Sequence, residues 1–243
     1  MQLDGAAALV TGAGSRIGQA IAIGLARAGC DVAIHYHGSA KGAKETAQAV
    51  KAAGRRAELL QADLRDAHAA RALADEAARR LTRLTVLVNS SGVMVRELVE
   101  DVTPESWNGT FDLNLRAMFF VSQGAISHLR RAKGKIVNMA DIAGLEPWPG
   151  YIPHCISKAG VIMLTKALAS ALAPEVAVNA IAPGAVLLPE AWDQQSRDHI
   201  RETTPLKRLG SPDDVVAAVR FLVAGTDYAT GTILVIDGGR LIR

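Results

Sequence analysis

Residues 6–18 read AAALVTGAGSRIG. Ala6 to Val10 is an unbroken apolar run, Gly12, Gly14 and Gly18 punctuate the stretch after it, and Ile17, Ile21, Leu25 and Ala28 then recur at helical spacing. An apolar run of this length without alternation suits a parallel strand covered on both faces. A strand, a glycine turn and a helix start, in that order, make an anion site. Small residues let backbone N–H groups approach a pyrophosphate at the positive end of the helix. Gly12, Ser15, Arg16, Ile17 and Gly18 are the candidate binding residues of this turn, against the alternative of a tight turn with a structural role only.

The pattern repeats outward. Strands are expected at 31–35, 58–62, 86–88, 136–139, 176–181 and 232–236, with helices over 40–53 and 67–81 and helix starts at Thr103-Pro104-Glu105 and Ser211-Pro212. Alternating strands and helices predict an α/β fold, a doubly wound parallel sheet of about seven strands flanked by helices. With 243 residues and no linker-like break, one domain over 1–243 is expected. Residues 188–210, with Trp192 and many polar residues at no steady period, are the expected substrate lid.

Composition excludes several classes. Apolar residues make up 49% of the chain, which argues against disorder. The net charge of +3 is scattered and only 4% of residues are aromatic, so neither a basic stripe nor a stacking platform for nucleic acid is expected. Cys30 and Cys155 are too few for a disulfide framework. No basic, apolar leader opens the chain, and no apolar run reaches the ~18 residues of a membrane span. The expectation is a cytoplasmic protein with no membrane partner and no metal.

The chemistry is expected in 135–158, KIVNMADIAGLEPWPGYIPHCISK. A short apolar strand runs through a Gly/Pro-rich loop into a helix, on which His154 and Lys158, four apart, share a face. Asp141, just past the strand, brings a carboxyl near that pair. Tyr151, one turn before His154, is a further proton donor candidate.

These segments resemble the short-chain dehydrogenase/reductase family over nearly the whole chain. That family has a Ser where Asp141 stands and Tyr-x-x-x-Lys where His154 and Lys158 stand. An Asp at the Ser position, Arg16 in the glycine turn and the segment His35-Tyr36-His37-Gly38-Ser39 resemble its pteridine reductase branch.

The resemblance implies a Rossmann-type fold, a nicotinamide dinucleotide and hydride transfer to a C=O or C=N carbon. It implies that Asp63 and Leu64 contact adenine, with Asp63 as a simple helix cap left open. Asn89 and Gly92 stand in the segment that closes over the cofactor and steadies the central sheet, and Pro183, Gly184 and Val186 in the turn against the nicotinamide. Asn114 matches the residue that holds an active-site water near the lysine through a local break in its helix, with a buried Asn satisfied by backbone groups left open. Met94 and Trp192 fall in substrate-binding positions, Met94 where the pteridine branch places an aromatic residue.

No acid follows the second strand, where an NAD enzyme offers one to the ribose. His37, Ser39 and Arg16 suit a 2′-phosphate instead, so NADP(H) is expected, although His37 and Ser39 are also compatible with a solvated strand end and a helix cap. Asn114, Asp141, His154 and Lys158 form the expected catalytic group. The apolar face of small residues over 156–171 suits pairing into a homodimer or homotetramer. Three functions are compatible with these residues: an NADPH-dependent reductase of a cyclic, pterin-like compound, a general ketoreductase of the oxoacyl-reductase kind, or a cofactor-binding protein with little turnover because His154 replaces the Tyr.

Overall fold

The computed structural model describes residues 1–188 and 192–242. One sheet of seven parallel strands runs through it, in the order β3-β2-β1-β4-β5-β6-β7. The strands are β1 Ala7–Val10, β2 Asp31–Tyr36, β3 Ala57–Gln61, β4 Val86–Asn89, β5 Lys135–Met139, β6 Ala177–Pro183 and β7 Ile233–Ile236. The helices are α1 Arg16–Arg27, α2 Ala40–Ala52, α3 Ala67–Leu81, α4 Pro104–Phe111, α5 Ala117–Ala132, α6 Ile152–Leu172, α7 Gln194–Thr203 and α8 Pro212–Arg220. The expected doubly wound α/β architecture is present, with strand ends moved by one or two residues.

Side chains of a strand alternate between faces, and the two faces of this sheet bury two separate cores. Ala8 and Val10 of β1 join Val32, Ile34, Val86 and Val88 against Ile21 and Leu25 of α1, Val50 of α2 and Val215 of α8. Ala7 and Leu9 face the other way, with Leu87 and Ile136, against Leu73 of α3, Val121 and Leu129 of α5 and Leu172 of α6. The continuous apolar strands of the sequence are the consequence of this two-sided cover. Each fully buried Leu or Ile contributes about 1.5–3 kcal/mol.

Two helix starts are as expected: Thr103 and Ser211 each cap their helix in a reciprocal box, with Ser106 and Asp214 respectively. The α3 cap is Asp66, which accepts from the His68 N–H. Asp63 is therefore not the cap. Between α4 and α5 the backbone widens into a π turn over Asp112–Arg116, the local break expected around Asn114. In the expected lid, α7 is a regular helix capped by Asp193. None of its residues is fully buried, so it carries no apolar stripe to read. Residues 189–191 of that lid lie outside the described residues.

The segment Pro149–Leu172 is long and apolar enough to cross a membrane, with a mean hydropathy of 1.4 in its best window, a length the apolar runs did not suggest. It lies against β6 and buries His154 and Lys158, as a core helix does.

Candidate active site

The chain reverses direction in the sheet between β1 and β4, and ligands of such folds bind in the crevice beyond the carboxyl ends of the strands there. A cavity of about 730 Å³ occupies that place, running from the end of β2 past the glycine turn to α6 and α7.

The glycine turn is built for close approach. Gly12 has φ +66°, and a Cβ on Gly18 would lie 2.3 Å from the Gly12 carbonyl oxygen. Only glycine fits there, so the turn and the start of α1 leave a cradle open to a ligand. Gly12, Ser15, Arg16, Ile17 and Gly18 all line the cavity. The turn is held from beneath by a residue the sequence reading passed over. His35, buried in β2, accepts the Gly12 N–H at Nδ1 (3.1 Å), and its Nε2 lies 3.2 Å from the Ala62 carbonyl oxygen. Each bond requires one tautomer, so the ring is neutral with its proton on Nε2. Burial pushes its pKa down to about 4. A histidine in an otherwise apolar strand was the available signal.

At the end of the cavity beyond β2, His37, Ser39, Asp63 and Leu64 line the wall together. Ser39 makes no capping bond to α2, and the space beside Gly38 is open. Arg65, also unread in the sequence, lines this end too. Asp63 stands 3.4 Å from His37 and 3.7 Å from Arg65. The Arg65 backbone N–H, then the charge of His37, hold its carboxyl below the usual range. Arg16 needs correction. It adopts φ +52°, and its guanidinium donates to the Leu187 carbonyl (2.6 Å) beyond β6, on the opposite side of the crevice from His37 and Ser39.

One further expectation changes. Asn89 does not line the cavity: its side chain is buried and donates to Ser122 Oγ (3.0 Å) and Asn138 Oδ1 (2.9 Å). Strand position turns it into the sheet, while its neighbours Ser90, Ser91 and Gly92 face the crevice. Asn114 is also fully buried behind the cavity wall. The π turn aims it at the main chain of Val93, where it accepts the N–H (2.8 Å), donates to the carbonyl (2.9 Å) and donates to Ser157 Oγ (3.0 Å). These bonds, with the helix break, match the alternative of a buried Asn satisfied by backbone groups, and they position the loop at Val93.

The group at 141, 154 and 158 is assembled as expected. His154 and Lys158 lie one turn apart on α6, both buried, and face Asp141 across the cavity wall. His154 Nδ1 lies 3.1 Å from the Val93 carbonyl oxygen. A carbonyl only accepts, so Nδ1 carries a proton. Nε2 is buried with no hydrogen-bond partner, 3.6 Å from Asp141 Oδ2. The other oxygen of Asp141 accepts the Ala143 N–H at 2.9 Å. Lys158 Nζ donates to the Met139 carbonyl (2.8 Å). Burial pulls its pKa down, and the Asp141 carboxylate opposes that pull.

Pro183, Gly184 and Val186 line the crevice after β6, and Met94 and Trp192 its outer end. Every expected site residue apart from Asn89 and Asn114 thus borders one cavity. Among the described residues no cluster of His, Cys, Asp or Glu suits a metal ion.

Residues 12–240 match the family model described as Enoyl-(Acyl carrier protein) reductase. The 3-oxoacyl-(acyl-carrier-protein) reductase FabG of Staphylococcus aureus (strain Mu50) is 34% identical, over 96% of this chain and 96% of its own. The 3beta-hydroxysteroid dehydrogenase 1 of Eggerthella lenta is 35% identical, over 98% of this chain and 94% of its own. A solved mutant of a Serratia marcescens short-chain dehydrogenase/reductase superposes with a TM-score of 0.92 at 30% identity, covering 99% of each chain. Kinship in sequence and in shape runs the length of the molecule, and the chain belongs to the short-chain dehydrogenase/reductase family, oxidoreductases that work with a nicotinamide dinucleotide.

Proposed function

We propose that the protein is an NADPH-dependent reductase of a ring carbonyl or cyclic imine, with His154 and Asp141 supplying the proton that the family takes from a tyrosine. The unpartnered, buried Nε2 of His154, set against a carboxylate oxygen at 3.6 Å, carries this reading. With Nδ1 committed to Val93, a ring without a second proton would turn a lone pair toward the carboxylate. One proton held between Nε2 and Asp141 relieves that clash, and it is the proton a substrate oxygen or nitrogen receives. The dinucleotide, when bound, supplies the hydride. Lys158 adds positive charge beside the developing alkoxide or amide.

NADPH is favoured over NADH because no acid stands among Tyr36 to Ser39, while His37, Ser39 and Arg65 line an open end of the cavity. A phosphate there has to draw His37 and Arg65 away from Asp63. The Gly12 and Gly18 turn would hold the pyrophosphate, and Pro183, Gly184 and Val186 would border the nicotinamide.

The named relatives act, by their names, on an oxoacyl chain and on a hydroxysteroid, so general ketone reduction is compatible. A pterin-like substrate is the second reading, favoured by the carboxyl at 141, which suits a ring nitrogen as well as an oxygen. We read residues 1–243 as one domain whose lid is 188–210, and the enzyme as cytoplasmic. The exposed Ile156 and Met163 of α6 and Phe119 of α5 are apolar surface of the kind covered by a second copy, which supports a homodimer or homotetramer.

The test compares His154→Ala and His154→Tyr with the parent protein, following NADPH consumption on ketones, imines and pterins. Loss of about 10²–10⁴ in kcat/KM in His154→Ala is expected. Turnover only in His154→Tyr would replace this reading with that of a cofactor-binding protein whose proton donor has been lost.

A further inference from the structure

Arg16 stands in the glycine turn and holds φ +52°, a left-handed backbone that a side chain disfavours. Strain of this kind persists where the surroundings fix it, and it gathers at ligand clamps and switch segments. The exposed guanidinium donates to the Leu187 carbonyl oxygen at 2.6 Å, as short as charge-assisted bonds are.

The two ends of this bond belong to the two banks of the crevice. Gly12 and Gly18 line the cavity on one bank, Pro183 and Gly184 on the other. The second bank is pinned at its root: the Gly184 N–H donates to the Ile236 carbonyl of β7, and the Gly210 N–H to the Ala185 carbonyl, each at 2.9 Å. Farther out, at Leu187, Arg16 ties it to the glycine turn. A dinucleotide with its pyrophosphate on the Gly12 and Gly18 turn and its nicotinamide against Pro183 and Gly184 runs between the same two banks that the bond joins.

We infer that Arg16 is a strap, which holds the loop after β6 across the crevice and has to let go for the dinucleotide to enter and again for it to leave. This rests on the cofactor placement given above and adds to it a control of exchange. The consequence is kinetic. If entry and exit both wait for the strap, its loss multiplies both rates by one factor and leaves affinity where it was. Loss of a direct contact to the ligand acts otherwise: dissociation quickens, while association stays the same or slows.

The experiment reads kon and koff by stopped-flow fluorescence of NADPH and NADH on the parent protein, Arg16→Asn, Arg16→Gly and Arg16→Lys, each checked for an unchanged fold by circular dichroism. Asn and Gly both accept the left-handed backbone, so neither adds strain. Adenosine 2′,5′-bisphosphate, which occupies one bank only, is measured by competition. In the Asn and Gly variants both rates should rise roughly tenfold for both dinucleotides, with Kd unchanged within about threefold and the bisphosphate within about twofold. Arg16→Lys, still a cationic donor, should fall between these and the parent.

An unchanged koff overturns the strap. So does a faster koff with kon unchanged or slower, which would make Arg16 a ligand contact, and so does an effect confined to NADPH, which would put the guanidinium on the 2′-phosphate. A parent protein that binds neither dinucleotide removes the cofactor placement and the strap with it. The expected kinetics without turnover of any ketone or imine keep the strap and remove the reductase reading.

Discussion

Acid should strip stability from this protein through a single buried ring. His35 binds the glycine turn only when neutral, and its pKa is pushed down from 6.5 to about 4. The unfolded chain therefore takes up a proton that the folded chain refuses. The associated stability is complete above pH 6.5, falls as pH drops through that value, and is gone below pH 4. Each tenfold change in proton affinity is worth about 1.4 kcal/mol, so the full loss is about 3 kcal/mol, of which about 2.5 kcal/mol is lost by pH 4.5. Carboxylates titrate in the same range, and a variant without the ring separates the two. His35→Asn should be less stable than the parent at pH 7.5 by about 1–3 kcal/mol, because the Gly12 N–H and the Ala62 carbonyl lose buried partners. At pH 4.5 that gap should shrink by about 2.5 kcal/mol. Urea unfolding of both proteins at the two pH values reads this directly. A gap of the same size at both would refute the assignment of His35 as the neutral strut beneath the turn.

The same geometry fixes other outcomes. Gly18→Ala places a methyl group 2.3 Å from the Gly12 carbonyl oxygen, so NADPH binding, followed by its fluorescence, should fall beyond detection. Arg65→Ala should weaken NADPH about tenfold and leave NADH unchanged, since a guanidinium bond to phosphate is worth about 1.5 kcal/mol or more; equal losses for both cofactors would exclude a phosphate contact. Asn138→Ala removes one of the two buried partners of Asn89 Nδ2 and of Thr165 Oγ1 and should cost about 1–3 kcal/mol, seen as a lower Tm.

The sheet was legible because its strands are covered on both faces and read as apolar runs, and because Gly12, Gly14 and Gly18 mark a turn few other segments imitate. The cluster of 141, 154 and 158 was legible through helical spacing and resemblance together. What escaped shares a physical cause: sequence places a residue in a loop or strand but does not say which way it turns. Asn89 was expected in the crevice and turns into the sheet, the bonds of Asn114 to Val93 take the backbone-satisfied alternative that spacing left open, and the Arg16 guanidinium goes to the Leu187 carbonyl. The helix α7 escaped because a helix with no buried face leaves no period in the sequence. His35 was hidden for the opposite reason, a polar ring fully paired inside an apolar strand.

The main chain of Val93 is bonded at both its groups: its N–H donates to the Asn114 amide oxygen, and its carbonyl accepts from the Asn114 amide nitrogen and from His154 Nδ1. The widened turn at Asp112–Arg116 is thereby linked to the proposed proton donor through one residue's backbone. Tightening that turn into ordinary helix would swing Asn114 away, loosen the loop that carries Met94, and leave the imidazole free to spin. The bulge in the helix works as a rotational lock on a group it never touches.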